Sequence, residues 1–143
     1  MTGGAESSRR RAREAAFRVA YQADVAQDSY ADAWKTRHDV ERLSEDQSRL
    51  VADVVSVLER QGAEVDQHLS AAVEHWPLAR LAATDRSVLR VGVAELMGRP
   101  GTPARVILDE AIDIARLYGS EESGRFVNGV LDRVARALRP GEF

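Results

Sequence analysis

The sequence predicts an all-α fold, a compact bundle of about seven helices arranged as two helical subdomains. Every long segment places its apolar residues three or four positions apart, which is the period of an amphipathic helix. No stretch alternates β-branched and polar residues for long enough to predict a strand. Short connections separate the periodic segments, as in a helical bundle. We expect residues 1–7 to be a flexible N-terminal segment and residues 8–143 to form a single all-helical domain.

The N-terminal half is predicted to hold four helices. The first begins near Ser8 and continues into the mid-twenties, and a short helix follows at residues 30–37. The pattern Ser-Glu-Asp-Gln at residues 44–47 is a capping box, in which the first and fourth side chains bond each other's backbone N–H groups. This box opens a third helix, which Gly62 is expected to stop, and residues 65–73 form a fourth.

The C-terminal half is predicted to hold three helices. Thr84 is placed to cap the first of them, whose apolar stripe continues to the loop Gly-Arg-Pro-Gly-Thr-Pro. Pro103 suits the first turn of the next helix, and Gly119 ends it. A serine caps the last helix, either Ser120 or Ser123.

The last helix contains an Asn-Gly pair, Asn128 and Gly129. Asn-Gly is a strong turn signal, but the flanking apolar residues keep helical spacing, so we expect the helix to continue through it. A glycine inside a helix costs about 1 kcal/mol relative to alanine and therefore needs a compensating reason. With the apolar stripe turned inward, Gly129 points away from the core. Either a second helix crosses closely at this bare backbone, or a ligand approaches it.

Composition is that of an ordinary globular chain, with 44% apolar residues, 30% charged residues and no cysteine. The absence of cysteine excludes disulfides, thiolate catalysis and Cys-type zinc sites. No run of about 18 apolar residues could span a bilayer, and the N-terminus lacks the apolar segment of a signal peptide. We therefore expect a cytoplasmic protein that makes no membrane contact.

The remaining residue types predict no enzyme, no cofactor and no metal site. The three histidines, His38, His68 and His75, form no metal-binding pair at helical spacing. Asp109 and Asp113 share a helical face, which is typical of a solvated acidic surface. No glycine pattern resembles a phosphate-binding loop, and no serine lies in a nucleophile elbow.

The net charge of −3 hides an uneven distribution, because residues 1–18 carry five arginines against two glutamates. Helical geometry places Arg10, Arg13, Phe17 and Tyr21 on one side of the first helix. Arginines that neutralise phosphates beside an aromatic ring that stacks on an unpaired base are typical of single-stranded RNA recognition. The alternative is that the arginines are merely solvated, and that Phe17 and Tyr21 pack under a neighbouring helix.

Three blocks carry a resemblance that covers nearly the whole chain: RRRAREAAFRVAYQ, TDRSVLRVGVAEL and VILDEAIDIARLYGSEESGRFVNGVLDRVAR, in this order. They resemble the bacterial NusB family of transcription antitermination factors. The resemblance implies an all-helical, non-enzymatic protein that binds single-stranded boxA-like RNA of ribosomal RNA leader transcripts. It also implies a protein partner, the small ribosomal-subunit protein NusE, within a complex that lets RNA polymerase pass terminators.

The resemblance also implies which residues meet each partner. The RNA-facing residues would be Arg9, Arg10, Arg13, Tyr21, Arg90, Phe126 and Asn128. Two acidic residues would lie near the protein partner, Asp85 and Glu122.

Two other interpretations remain open at this point. Within the same fold, the chain could be the NusB-like domain that precedes an RNA methyltransferase in some proteins. From another class, it could be a helical homodimeric interaction module with no RNA role. Some members of the family are implied to self-associate and to cover the RNA surface, so a homodimer alone would not exclude RNA binding.

Overall fold

The computed structural model describes the backbone of residues 2–143 and the side chains of residues 8–143. Its six helices are α1 (Thr2–Ala26), α2 (Tyr30–Glu41), α3 (Glu45–Ala72), α4 (Ala83–Gly98), α5 (Ala104–Tyr118) and α6 (Glu121–Leu138). Two single 3-10 turns lie at Leu78–Arg80 and Pro140–Glu142. Residues 2–143 contain no strand, so the all-α prediction is confirmed.

Helix α1 begins at Thr2, earlier than the predicted start near Ser8. A separate flexible segment at residues 1–7 stays a prediction, because the side chains of those residues lie outside the described ones. From Ser8 onward, the inward face of α1 is built mostly of buried alanines, such as Ala12 and Ala16. Small side chains let a helix approach its neighbours closely. Helix α1 accordingly packs against α2, α3 and α4.

Residues 45–72 form one helix, α3, where two helices were predicted. The helix is kinked at Gln61, with φ −124° and ψ 28°, where two helical segments join. The break predicted at Gly62 therefore occurs one residue earlier, as a kink and not as a stop. The reason is tertiary: Val65 and Leu69 are fully buried and continue the apolar stripe beyond the kink. Burial of two large side chains outweighs the low helix propensity of one glycine.

The helix caps confirm some local predictions and correct one. Both bonds of the capping box at the start of α3 are present, at 2.8 and 3.2 Å. The oxygen of Ser120 caps α6. Thr84, in contrast, lies inside the first turn of α4, whose N-cap is Ala82 and has no side-chain cap. Beside this uncapped end, the guanidinium of Arg86 donates to the carbonyl of Leu81 at 2.8 Å and so anchors the turn that precedes α4.

The helices form two groups, α1–α3 and α4–α6, that share one apolar core. Helices α1 and α3 of the first group pack on α4 of the second. The largest fully buried apolar side chains come from both groups, and they include Leu50, Leu69, Leu89, Ile107 and Leu131. Within residues 2–143, no helix is both long enough and apolar enough to span a membrane.

Candidate nucleic-acid interface

The arginines of α1 differ sharply in exposure. Arg9 is exposed, and no ion pair joins it to a carboxylate in residues 8–143. Arg11 is also exposed and makes one long bond, 3.5 Å, to the carbonyl of Glu41. Free guanidinium groups of this kind can displace counterions from phosphates. Arg9 therefore has the exposure that the RNA-facing expectation requires.

Arg13 lies in the core, with 3% of its surface exposed. Its Nε and Nη2 donate to both oxygens of Glu95 on α4, at 2.9 and 2.6 Å, and its Nη1 donates to Glu110 on α5 at 3.1 Å. Glu95 itself is only 1% exposed. Because buried charges need partners, Arg13 serves to join α1 to α4 and α5. Arg13 is thus removed from the candidate RNA-facing set, since the structure places it away from the surface.

Arg10 is a half-buried member of the same network. Its Nε donates to Glu110, and its Nη2 donates to Asp113 at 2.6 Å. Asp113 is therefore more than part of a solvated acidic face, because it neutralises a cation of α1. A phosphate that binds Arg10 must compete with this carboxylate.

The aromatic residues of α1 divide in the same way. Phe17 is buried and packs against Tyr118 of α5, with ring centroids 4.6 Å apart. Tyr21 is 39% exposed, and its ring centroid lies 6.0 Å from that of Phe17. Of the two alternatives for this pair, packing under a neighbouring helix holds for Phe17, whereas Tyr21 keeps a face available for stacking.

Arg90 of α4 is also engaged within the protein. It forms a bidentate pair with Asp66 of α3, at 2.9 and 3.1 Å, and donates to Asp24 of α1 at 3.2 Å. Burial of Asp24 opposes its ionisation, but hydrogen bonds from Arg86 and Arg90 outweigh burial and lower the pKa of this carboxyl. Arg90 thus holds three helices together, which corrects the expectation that it is available to RNA.

The outer face of α6 is open at its centre. A Cβ added to Gly129 would meet no atom within 4 Å, so no other helix in residues 8–143 crosses there. At Gly92 of α4, by comparison, a Cβ would lie 2.8 Å from Leu131, where α4 and α6 pack closely. Asn128 is exposed and Phe126 is half-buried beside this opening. The helix-crossing explanation for Gly129 is therefore wrong, and the outward orientation is confirmed.

The two acidic residues expected near the protein partner both lie at helix N-termini. Asp85 is half-buried in the first turn of α4, and Glu122 is exposed in the first turn of α6. Carboxylates are favourable there because of the helix dipole. Neither forms an ion pair with another side chain in residues 8–143, so both carboxylates remain available.

The most exposed aromatic side chain in residues 8–143 was missed from the sequence. Trp76 lies between α3 and the following 3-10 turn and is 58% exposed. The available signal was a tryptophan directly before Pro77, outside any apolar stripe. In the described part of the chain, no group of three or more His, Asp or Glu side chains is arranged to hold a metal ion.

Known proteins resemble this chain over most of its length. The model of the NusB family matches residues 10–136. The transcription antitermination protein NusB of Anaeromyxobacter dehalogenans is 44% identical over 94% of this chain and 94% of that protein. The protein of the same name from Koribacter versatilis is 39% identical over 92% of this chain and 90% of its own length.

Solved structures agree with these relatives. T. maritima NusB superposes with a TM-score of 0.83 at 34% identity and covers 90% of each chain. A NusB chain from a complex of antitermination factors NusB and NusE with dsRNA superposes with a TM-score of 0.81 at 27% identity, over 92% of this chain and 98% of that one. This chain belongs to the NusB family.

Proposed function

We propose that this chain is a transcription antitermination factor that binds single-stranded boxA-type RNA of ribosomal RNA leader transcripts together with NusE. In this role it joins a complex that lets RNA polymerase pass terminators, and it acts in the cytoplasm without catalysing a reaction. Relatives named transcription antitermination protein NusB, at 39% and 44% identity, support this role. A solved relative in complex with NusE and dsRNA supports NusE and RNA as the two classes of partner.

The observation that carries the proposal is the open surface at Gly129. This glycine weakens α6 by about 1 kcal/mol relative to alanine, and no close packing within residues 8–143 compensates for it. Phe126 and Asn128 flank it, one as a half-buried ring and the other as an exposed amide. A bare backbone between a ring and an amide suits the close approach of an unpaired nucleotide.

The residues divide into contact residues and positioning residues. Arg9 and Arg10 supply affinity by displacing counterions from phosphates. Tyr21 and Phe126 stack on bases, and Asn128 reads a base edge. Arg13 and Arg90 act indirectly, because their ion pairs fix α1 and α4. Asp85 and Glu122 face NusE.

Fluorescence anisotropy of a labelled boxA-like RNA, titrated with the protein in the presence and absence of NusE, tests the proposal. The test variant combines Arg9→Ala, Tyr21→Ala and Asn128→Ala, none of which lies in the core. The control is Arg60→Ala, at an exposed arginine of α3 that has no ion pair in residues 8–143. We expect the triple variant to lose NusE-enhanced binding and the control to retain it.

Equal binding by the triple variant and the unmodified protein would contradict the assigned surface. Absence of binding by either protein, together with a dimeric mass in light scattering, would favour the homodimeric interaction module. Because the single-strand assignment is part of the proposal, a duplex of the same sequence serves as the competing ligand, and preferential binding of the duplex would contradict it.

A further inference from the structure

A groove of about 390 Å³ lies between α6 and the connection that follows α3. The connection contributes Val73, His75 and Trp76, and α6 contributes Phe126, Gly129 and Arg133. Of these residues, Phe126 and Gly129 belong to the surface assigned above. The groove therefore continues the α6 surface toward a part of the chain with no assigned role.

Two aromatic side chains line the groove. Trp76 exposes more than half of its surface, which is unusual for so large an apolar side chain. Phe126 packs partly against the core and leaves the rest of its ring in the groove. Aromatic rings in a surface groove provide stacking platforms for nucleobases, and such stacking is independent of base identity.

Gly129 also lines the groove. A Cβ at this position would meet no protein atom within 4 Å, so the space above the backbone is empty. A flat ring can lie directly against helix backbone only where no side chain intervenes. The cost of glycine within α6 is thereby explained by the shape of the groove.

The charge of the groove favours an anion. Arg125 and Arg133 line it, and neither forms an ion pair with a carboxylate in residues 8–143. Arg133 uses Nη1 to bond the carbonyl of Ala72 at 2.8 Å, which holds its side chain across the groove wall and leaves other N–H groups free. Glu74 is the single carboxylate among the lining residues. Two guanidinium groups beside the exposed ring of Trp76 and the half-buried ring of Phe126 match a phosphate attached to a base.

We propose that this groove is a nucleotide subsite of the RNA-binding surface. An unpaired base stacks on Trp76 and Phe126 above Gly129, and Arg125 and Arg133 bind the adjoining phosphate. The subsite rests on the proposed RNA-binding function. It adds at least one nucleotide to the RNA segment that contacts the protein. Its sequence preference is weak, because stacking recognises the faces of bases and not their edges.

Tryptophan fluorescence tests the stacking directly, because the chain has only two tryptophans. Trp34→Phe leaves Trp76 as the sole emitter, and Trp76→Phe leaves Trp34, which lies on α2 against His38. We expect single-stranded boxA-like RNA to quench the emission of Trp76 and to leave that of Trp34 unchanged. Equal quenching of the two tryptophans would overturn the subsite. So would the absence of quenching of either tryptophan under conditions in which anisotropy shows that RNA is bound.

A matched pair of glycine substitutions tests the groove independently of fluorescence. Gly129→Ala and Gly62→Ala each add a methyl group within a helix, at a position where a Cβ meets no atom within 4 Å. Both should raise the melting temperature, since alanine favours helix. Only Gly129→Ala should weaken RNA binding, and Trp76→Ala should weaken it roughly tenfold, the effect of one lost stacked base. Equal RNA affinity of the two glycine variants would count against the subsite.

The outcomes separate this proposal from the function on which it rests. If the protein binds RNA and the triple variant binds it more weakly, but Trp76→Ala does not, the function stands and the subsite is overturned. If the unmodified protein binds no RNA with or without NusE, the function itself fails. If NusE alone quenches Trp76 and RNA adds nothing, the groove binds protein and the nucleotide assignment is wrong.

Discussion

The arginines of α1 and those of α6 perform different tasks. On α1, Arg10 and Arg13 are neutralised by carboxylates of α4 and α5. On α6, Arg125 and Arg133 line an open groove and form no ion pair within residues 8–143. The most arginine-rich part of the sequence thus offers less free positive charge than its composition suggests. Arginine density in a sequence cannot distinguish a cation that meets phosphate from one that joins helices.

The α1 network has a structural reason. Glu95 and Glu110 are buried, and a buried carboxylate without a partner is strongly destabilising. Arg13 satisfies both, and Arg10 adds a second bond to Glu110. The network holds α1 against α4 and α5, and so fixes the direction in which Arg9 and Tyr21 project.

The largest expected effect comes from breaking this network at its centre. Arg13→Met leaves the buried Glu95 unpaired and Glu110 with only its bond from Arg10, so the free energy of unfolding should fall by about 3–5 kcal/mol. Urea denaturation measures it, with Arg9→Met as the control, which should change stability by less than about 0.5 kcal/mol. If Arg13→Met kept full stability yet lost RNA binding, Arg13 would belong with the contact residues after all.

A second network joins α1 to α2 and should make the fold sensitive to acid. Hydrogen bonds from Arg18 and then Arg37 lower the pKa of Glu41 against the opposing effect of burial. A carboxyl whose folded pKa lies below its unfolded one contributes stability that is complete above the ordinary glutamate range. That stability is lost as the pH falls through the folded pKa.

Glu41→Gln tests this second network. At neutral pH, the substitution should lower the free energy of unfolding by about 1.5–3 kcal/mol, the range for hydrogen bonds to charged groups. It should also make the free energy of unfolding fall less steeply as the pH is lowered. Glu45→Gln, at an exposed residue, is the control. Urea unfolding across a pH series measures both slopes, and parallel slopes for Glu41→Gln and the unmodified protein would refute the assignment.

Local features of the fold were predictable from the sequence. The capping box of Ser44 and Gln47 and the cap at Ser120 involve residues three positions apart, so the sequence contains all the information they need. The outward orientation of Gly129 follows from helical period and is likewise local. The break predicted at Gly62 appears as a kink at Gln61 and not as a stop, because the helix continues to the buried Val65 and Leu69. That burial depends on the packing of α3 against other helices, which a local pattern cannot show.

Arginine roles were not predictable, because their partners are distant in the chain. Arg13 meets Glu95 and Glu110, which lie 82 and 97 positions away. Arg90 meets Asp66 and Asp24, 24 and 66 positions away. Periodicity gives the side of a helix on which a residue lies, but it does not identify what covers that side. The resemblance to a family likewise assigned these two arginines to RNA without reporting their ion pairs.

Arg9→Ala tests whether the guanidinium of Arg9, unpaired within residues 8–143, contacts a phosphate. If Arg9 makes one phosphate contact, its removal should reduce the slope of log affinity against log salt by about 0.7. The effect on affinity at moderate salt should be a few-fold, smaller than the loss of a stacked base. Arg60→Ala should leave the slope unchanged, and an equal change in both variants would indicate only a general response to net charge.

The smallest expected effect concerns the carboxylate that restrains Arg10. Asp113→Asn removes the 2.6 Å ion pair but leaves the bond from Arg10 to Glu110, so the side chain stays anchored while its Nη2 becomes available to phosphate. Asp109→Asn is the matched control, because Asp109 is exposed on the same helix, has no ion pair in residues 8–143 and loses the same charge.

Both substitutions remove one negative charge, so their difference reports on the cations that Asp113 pairs with, Arg10 at 2.6 Å and Arg116 at 3.7 Å. A surface ion pair is worth about 0.2–1 kcal/mol, so Asp113→Asn should raise RNA affinity by roughly 1.4-fold to fivefold beyond Asp109→Asn. Equal affinities would show that Asp113 does not restrain Arg10. The contrast between α1 and α6 would then depend on the ion pairs that Arg13 and Arg10 form with the buried Glu95 and Glu110, because the Nη2 of Arg10 would already be available to phosphate.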